Sequence, residues 1–304
     1  MERILAKIAV SLDDAIDERE RLGAPPGLRT RVLAERADWS VEDVICTYRP
    51  SDAPFEERHD RYRVALVGAG VFRCRGAHGR ELLTPGSLLL GNARDCFECG
   101  HEHGQGDVCL AFGYAPETFA RLVFDAGVRG KPRLGALRVP PLAALAPLVA
   151  ETCAAWAEAE GPLAEVRWDE LAVRVAAAAT QLAANPSRAP RNPPNAERGI
   201  ARAVRLIERD PRAPLTLDEL AREASLSRYH FVRAFARVTG LTPHRYVKRA
   251  RLRRAAVVLA TNGARVIDVA LDSGFRDVSA FGHAYRAEFG APPREHRARL
   301  RGAD

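Results

Sequence analysis

A chain of 304 residues that is 47% hydrophobic and 28% charged is long enough for two ordinary domains, each with its own core. No apolar run approaches the ~20 residues that cross a bilayer, and MERILAKIAVSLDDAIDERE, broken by Lys7 and followed by acids, reads as a small amphipathic helix of a cytoplasmic protein rather than a signal peptide. The net charge of +7 is unevenly spread: Ala196–Asp304 holds 22 Lys/Arg against 12 Asp/Glu, a net of +10, while the rest holds 24 against 27, a net of −3. Such asymmetry suggests a nucleic-acid-binding module joined to a neutral one, with ordinary basic surface as the plainer alternative.

From about Val41 to Tyr114 the segments VEDVICTY, RYRVALVGAGVFRCRG, ELLTPGSLLLGN, DCFECGH and DVCLAFGY are short and rich in Val, Leu, Phe, Tyr and Cys. They are separated by Gly, Pro, Asn or Asp, with turn signals at Pro85-Gly86 and Gly104–Asp107. This spacing predicts an antiparallel sandwich or small barrel. All six cysteines, Cys46, Cys74, Cys96, Cys99, Cys109 and Cys153, precede the basic third, and structural disulfides are not expected in a chain of this kind.

The run DCFECGHEHGQGDVCL has metal-binding chemistry. If Cys99–His103 is extended, Cys99, His101 and His103 share one face. A following strand would bring Cys109 opposite His103 or Glu102, depending on a one-residue register. In the first register, Cys99, His101, His103 and Cys109 make a sensible zinc set, with His59 as a further donor. Two other readings stand beside it: a hairpin of packed thiols with surface histidines, and redox sensing by Cys96 and Cys99. Apolar packing accounts for Cys46, Cys74 and Cys153.

After Tyr114 the period changes. Pro116–Ala126, Leu142–Ala159 and Glu165–Ala184 read as helices, the last two Ala/Leu-rich and suited to packing on the barrel or a second subunit. The prolines of NPSRAPRNPPNAE then mark a linker, which divides the chain into 1–184, 185–197 and 198–304.

Beyond the linker, Glu197–Arg209 forms a helix with Ile200, Val204 and Ile207 on one face. Thr216 and Glu219 can close a capping box at the start of the next helix. A tight turn at Ser225-Leu226 follows, and Ser227 caps a helix Arg228–Val238 that Gly240 ends. Helix, short turn and second helix make a helix-turn-helix. Between Ser225 and Pro243 there is no carboxylate. Phe231, Ala234, Phe235 and Val238 keep the core spacing, which leaves Arg228, Tyr229 and Arg233 pointing outward. Guanidinium groups there can donate two bonds to guanine or touch phosphate. Thr242-Pro243 opens a longer helix bearing Arg245, Lys248, Arg249, Arg251, Arg253 and Arg254. The plan then repeats: helix Val266–Asp272, turn at Ser273-Gly274, helix Asp277–Phe289.

These residues carry a specific resemblance. LTLDELAREASLSRYHFVRAFARVTGLTPHRYVKRARLRRAAVVL and VIDVALDSGFRDVSAFGHAYRAEFGAPPREHR resemble the DNA-binding domain of the AraC/XylS family of bacterial transcription regulators. Gly274-Phe275, Phe281, Phe289-Gly290 and Pro293 are the most diagnostic positions. The resemblance implies an all-α domain of seven helices with two helix-turn-helix motifs, and control of promoters in double-stranded DNA with RNA polymerase as a partner. By position, base contacts fall on Tyr229, Val232 and Arg233 in the first unit and Val278, Ser279 and His283 in the second. Arg228, Arg249 and Arg276 complete the candidate DNA-contacting set. His283 stands where many members have Arg, and Arg265 replaces the usual Ser/Thr cap.

For residues 1–184 the family resemblance implies a cupin-like antiparallel β-barrel with flanking helices. That domain would sense a small molecule or metal and support a homodimer, giving an α+β two-domain protein. The competing class is a cupin-type metalloprotein or a zinc/thiol redox sensor with an attached DNA-binding domain. No nucleophile-base pair or phosphate loop points to an enzyme.

Overall fold

The computed structural model describes residues 5–102, 104–127, 132–157, 164–183, 194–261 and 263–300. Most of the proline-rich segment, 184–193, lies outside these residues, as does His103. The chain groups into two compact units. One comprises Ile8–Pro141 and Glu160–Arg191; the other comprises Met1–Lys7, Leu142–Ala159 and Asn192–Asp304.

In the sheet-bearing unit, most of α1 (Leu5–Leu22) precedes β1 (Leu28–Glu35), β2 (Trp39–Cys46), β3 (Phe55–Arg58), β4 (Tyr62–Gly70) and β5 (Phe72–Gly76). β6 (Gly79–Leu83), β7 (Leu88–Gly91), β8 (Cys96–Gly100), β9 (Asp107–Tyr114), α2 (Pro116–Asp125) and β10 (Arg138–Val139) follow. Strand spacing predicted a closed barrel as one outcome; the described strands instead form two separate antiparallel sheets. Their orders are β1-β2-β9-β4-β7-β10 and β3-β8-β5-β6. No ladder among the described residues joins the edges of one sheet to the other, so neither closes. Ala65, Val67, Cys109 and Ala111 of the larger sheet share a core cluster with Phe72, Cys74, Phe97 and Cys99 of the smaller.

The predicted pairing of DCFECGH with DVCL does not form, because β8 belongs to the smaller sheet and β9 to the larger. Alternation along a strand says which face a side chain takes, and is silent about which partner the strand finds. β9 is buried along its whole length between β2 and β4; its residues from Val108 on are apolar enough for that position, and Asp107 at its start is a buried carboxylate. α4 (Ala164–Ala183) lies against this sheet: Tyr114 Oη donates to the Ala172 carbonyl at 2.7 Å, and Trp168 meets Phe112 edge-on.

The helical unit contains α3 (Ala146–Ala157), α5 (Pro194–Arg209), α6 (Leu217–Glu223), α7 (Arg228–Thr239), α8 (Pro243–Thr261), α9 (Val266–Asp272), α10 (Val278–Phe289) and α11 (Pro293–Leu300). The neighbour of α3 differs from the expected barrel or second subunit. Ala146 and Ala150 join Leu252, Ala255, Leu259, Phe281, Tyr285 and Phe289 in one core cluster, and Ala154 meets Ala260. An Ala-rich stripe admits close helix approach, but sequence does not say to which helix. None of the helices described is long and apolar enough to cross a membrane.

Candidate nucleic-acid interface and inner cavity

The first helix-turn-helix is built by local rules. Thr216 and Glu219 close the capping box: the Glu219 amide donates to Thr216 Oγ1 at 3.2 Å and the Thr216 amide to Glu219 Oε2 at 2.8 Å. That amide bond is the first reason the Glu219 carboxyl sits below its ordinary range. The turn bends at Ser225, whose φ of 56° is held by the Leu226 amide on the Ala221 carbonyl and by Arg202 on the Ser225 hydroxyl. Gly199 of α5 allows this turn to come close, since a Cβ there would lie 2.2 Å from the Ala224 carbonyl oxygen. Ser227 caps α7, and Gly240 ends it at φ 75°.

Phe231, Ala234, Phe235 and Val238 are buried. Arg228, Tyr229, His230 and Arg233 are exposed, with Val232 half-buried beside them. Tyr229 is 65% exposed. Arg233 lies over its ring at 5.4 Å and donates to its hydroxyl at 2.8 Å, an i,i+4 cation–π pair that presents a planar guanidinium beside a phenol. Arg228 is engaged by Asp218 of α6, an acid that sequence reasoning passed over. One signal was available: Asp218 is the first-turn residue of the neighbouring helix, ten positions upstream.

In the second unit Arg265 gives α9 no side-chain cap, while Asp277 caps α10. Its carboxylate accepts from the Ala280 and Ser279 amides at 2.9 and 3.0 Å, and these bonds hold the group below the ordinary carboxyl range. Gly290 ends α10 at φ 78°, matching Gly240. Arg276, Ser279 and His283 are exposed and Val278 is half-buried. This face is less cationic than that of α7.

The connecting helix α8 departs most from a uniformly basic surface. Arg245 and Lys248 are exposed. Arg249 is paired with Glu288 of α10 and its side chain is only 11% exposed, so it clamps two helices and is not presented on the surface. Arg251 donates to the carbonyls of Pro211, Gly274 and Ala213 at 2.6, 3.0 and 3.2 Å. Arg253 is buried and bonds both oxygens of Glu208 at 2.7 and 2.8 Å, where Tyr246 also donates. Burial works against its charge, and Glu208 more than offsets that effect.

Between the two sheets lies a cavity of ≈ 320 Å³. Phe55, Phe72 and Phe97 give it apolar walls, Arg63 and Glu42 bring an ion pair to it at 2.8 Å, and His59 Nε2 lies 3.0 Å from Glu57 Oε1. Cys46, Cys99, Asp107 and Cys109 line it as well. Of the zinc set predicted from sequence, Cys99 Sγ lies 3.8 Å from Cys74 Sγ, directly across the β5–β8 ladder, and His103 is outside the described residues. His101 instead meets Asp107, with Nε2 2.6 Å from Oδ1. Cys109 Sγ donates to Asp107 Oδ2 at 3.1 Å. Cys96 is exposed and Cys99 buried, on opposite faces of β8, so the two predicted redox partners do not meet. The bond to Cys74 and then burial raise the Cys99 thiol; burial and then Asp107 raise those of Cys46 and Cys109.

Residues 220–299 match the family model of a helix-turn-helix domain. Over 101 residues the chain is 37% identical to the HTH-type transcriptional regulator ArgR of Pseudomonas aeruginosa, across 33% of this chain and 31% of that one. Over 87 residues it is 34% identical to the regulatory protein SoxS of Salmonella typhimurium, across 29% of this chain and 81% of SoxS. A crystal structure of a transcriptional regulator with an AraC-type DNA-binding domain, from Chromobacterium violaceum, shares 31% identity, covering 34% of this chain and 91% of that one, with a TM-score of 0.32. The chain thus spans most of SoxS but about a third of ArgR.

Proposed function

The chain belongs to the AraC/XylS family of transcription regulators, and from this premise we propose that it grips promoter DNA with α7 and α10 in successive turns of the major groove, under the control of a small molecule or metal taken up by its sheet-bearing unit. The protein is a DNA-binding regulator and not an enzyme. In this reading Tyr229, Val232 and Arg233 face base edges in one half-site, and Val278, Ser279 and His283 face them in the other. Arg228 and Arg276 hold phosphates. The single observation that carries the reading is the exposed Tyr229–Arg233 pair on the outer face of α7, because a guanidinium there has two parallel donors to offer guanine. The second unit, with His283 in place of a longer cation, contributes orientation more than discrimination.

The ≈ 320 Å³ cavity supports the sensory half of the proposal. Its aromatic walls and the Arg63–Glu42 ion pair suit a small amphipathic molecule with a polar end near Arg63 and Glu42. Genome-wide footprinting with the full chain tests the whole reading. Discrete protected promoter sites of two half-sites each are expected; uniform occupancy that ignores sequence would sink it.

A further inference from the structure

Cys46 and Asp107 are direct partners across the β2–β9 ladder, and Cys109, two residues on, lies on the same face as Asp107. His101 comes from the segment that leaves β8 and crosses to the larger sheet. Two glycines make the crossing possible. Gly106 has φ 63°, and a Cβ there would meet the Cys46 carbonyl oxygen at 2.3 Å; Gly70 has φ 85°, and a Cβ there would strike the Gly106 carbonyl at 2.4 Å. The backbone is therefore drawn tightly around Asp107.

The donor atoms of Cys46, His101 and Asp107 all lie within 4.8 Å of one another, and the three residues are buried. Cys109 Sγ touches the second oxygen of the same carboxylate. Asp107 is 5% exposed, and among the described residues no guanidinium or ammonium pairs with it; its side-chain partners are an imidazole and thiols. His101, 2% exposed, has one ring nitrogen on Asp107, while Nδ1 has no hydrogen-bond partner among the described residues. A buried imidazole normally uses both nitrogens. The cluster thus has more bonding capacity than the protein itself employs.

We propose that Cys46, His101, Asp107 and Cys109 form a binding site for a thiophilic divalent cation, zinc by its chemistry, at the wall of the inner cavity. Two sulfurs, one nitrogen and one oxygen are the donor types that zinc takes in four-coordinate sites. Zinc bond lengths of roughly 2.0–2.3 Å require these donors to draw inward around the ion. The thiol protons of Cys46 and Cys109 leave to solvent as the two sulfur–metal bonds form, and no group changes oxidation state. Cys46, Asp107 and Cys109 all line the cavity, which supplies the entry path. The site stands whether or not the assignment of α7 to base reading is correct.

Cobalt(II), an optical stand-in for zinc, tests this with the full-length, untagged chain, stripped by chelator and fully reduced. One cobalt per chain is expected, with intense thiolate-to-metal absorption that stoichiometric zinc abolishes. Cys46→Ser or Cys109→Ser should remove about half of that absorption and the double variant all of it, while Cys96→Ser and Cys99→Ser leave it unchanged. Zinc should also slow alkylation of Cys46 and Cys109 in the unaltered protein, read by mass spectrometry, with Cys96 reacting at the same rate; this arm requires no variant to fold. Absence of a thiolate band, its survival in Cys46→Ser/Cys109→Ser, or zinc protection confined to Cys74 and Cys99 each overturns the proposal.

Discussion

Arg233 is held to Tyr229 by one hydrogen bond and one ring face, so its guanidinium is oriented before DNA arrives. Arg233→Ala should cost about 1–3 kcal/mol of specific binding and relax preference at a single base pair, measured by competition among operator variants. An equal loss on every sequence would instead make it a phosphate contact. Asp218 offers a second handle. It shares Arg228 with any approaching phosphate, so Asp218→Asn should tighten non-specific binding and steepen the salt dependence by about one phosphate, a change of ~0.9 in the log–log slope. The outward set on α7 was legible in sequence because Phe231, Ala234, Phe235 and Val238 leave Arg228, Tyr229 and Arg233 no other direction. Arg249, Arg251 and Arg253 were not. An arginine that binds phosphate and one that ties carbonyls together use the same donors, and only the tertiary neighbours tell them apart.

Helices α7 and α10 are held by devices of different pH sensitivity. Ser227 caps with an uncharged hydroxyl, which also meets His230 Nδ1 at 2.8 Å, whereas Asp277 must be ionised for both its oxygens to accept amides. Its lowered pKa means that its stabilisation is fully present above the unfolded value of ~3.9 and is lost as pH falls through the folded value. Acidification below about pH 4 should therefore loosen the start of α10 before that of α7, visible as earlier loss of the Ser279 and Ala280 amide signals in NMR. Asp277→Asn, which still accepts a hydrogen bond, should flatten that difference. In α8, removing only Arg253 leaves Glu208 with a charge in a partly buried site. Arg253→Met should destabilise the full chain by about 3 kcal/mol in urea unfolding, and Glu208→Met added to it should recover most of that loss. The caps at Thr216, Ser227 and Gly240 were readable because they act within four residues. The pairing of β8 was not, since alternation in DCFECGH fixes a face while the choice between two sheets is made by strands far away in the chain.

At the scale of the molecule, the excess positive charge follows the helix-turn-helix repeat, and the charge profile located that module correctly. Composition could not reveal that α3 groups with the C-terminal helices although segments of the sheet-bearing unit lie on both sides of it in the chain. Because Ala146 and Ala150 complete the core around Leu252 and Tyr285, a fragment beginning at Pro194 should melt several degrees lower than the same helices within the full chain. A synthetic peptide of residues 142–157 added in trans should raise that melting temperature; no shift at saturating peptide would show that α3 is dispensable. Engineers who exchange regulator halves by splicing at the proline-rich segment would therefore transplant an incomplete reading head. The recipient half would keep the missing rod, cut for another protein's socket, and such hybrids should work best when residues 142–157 travel with the domain they complete.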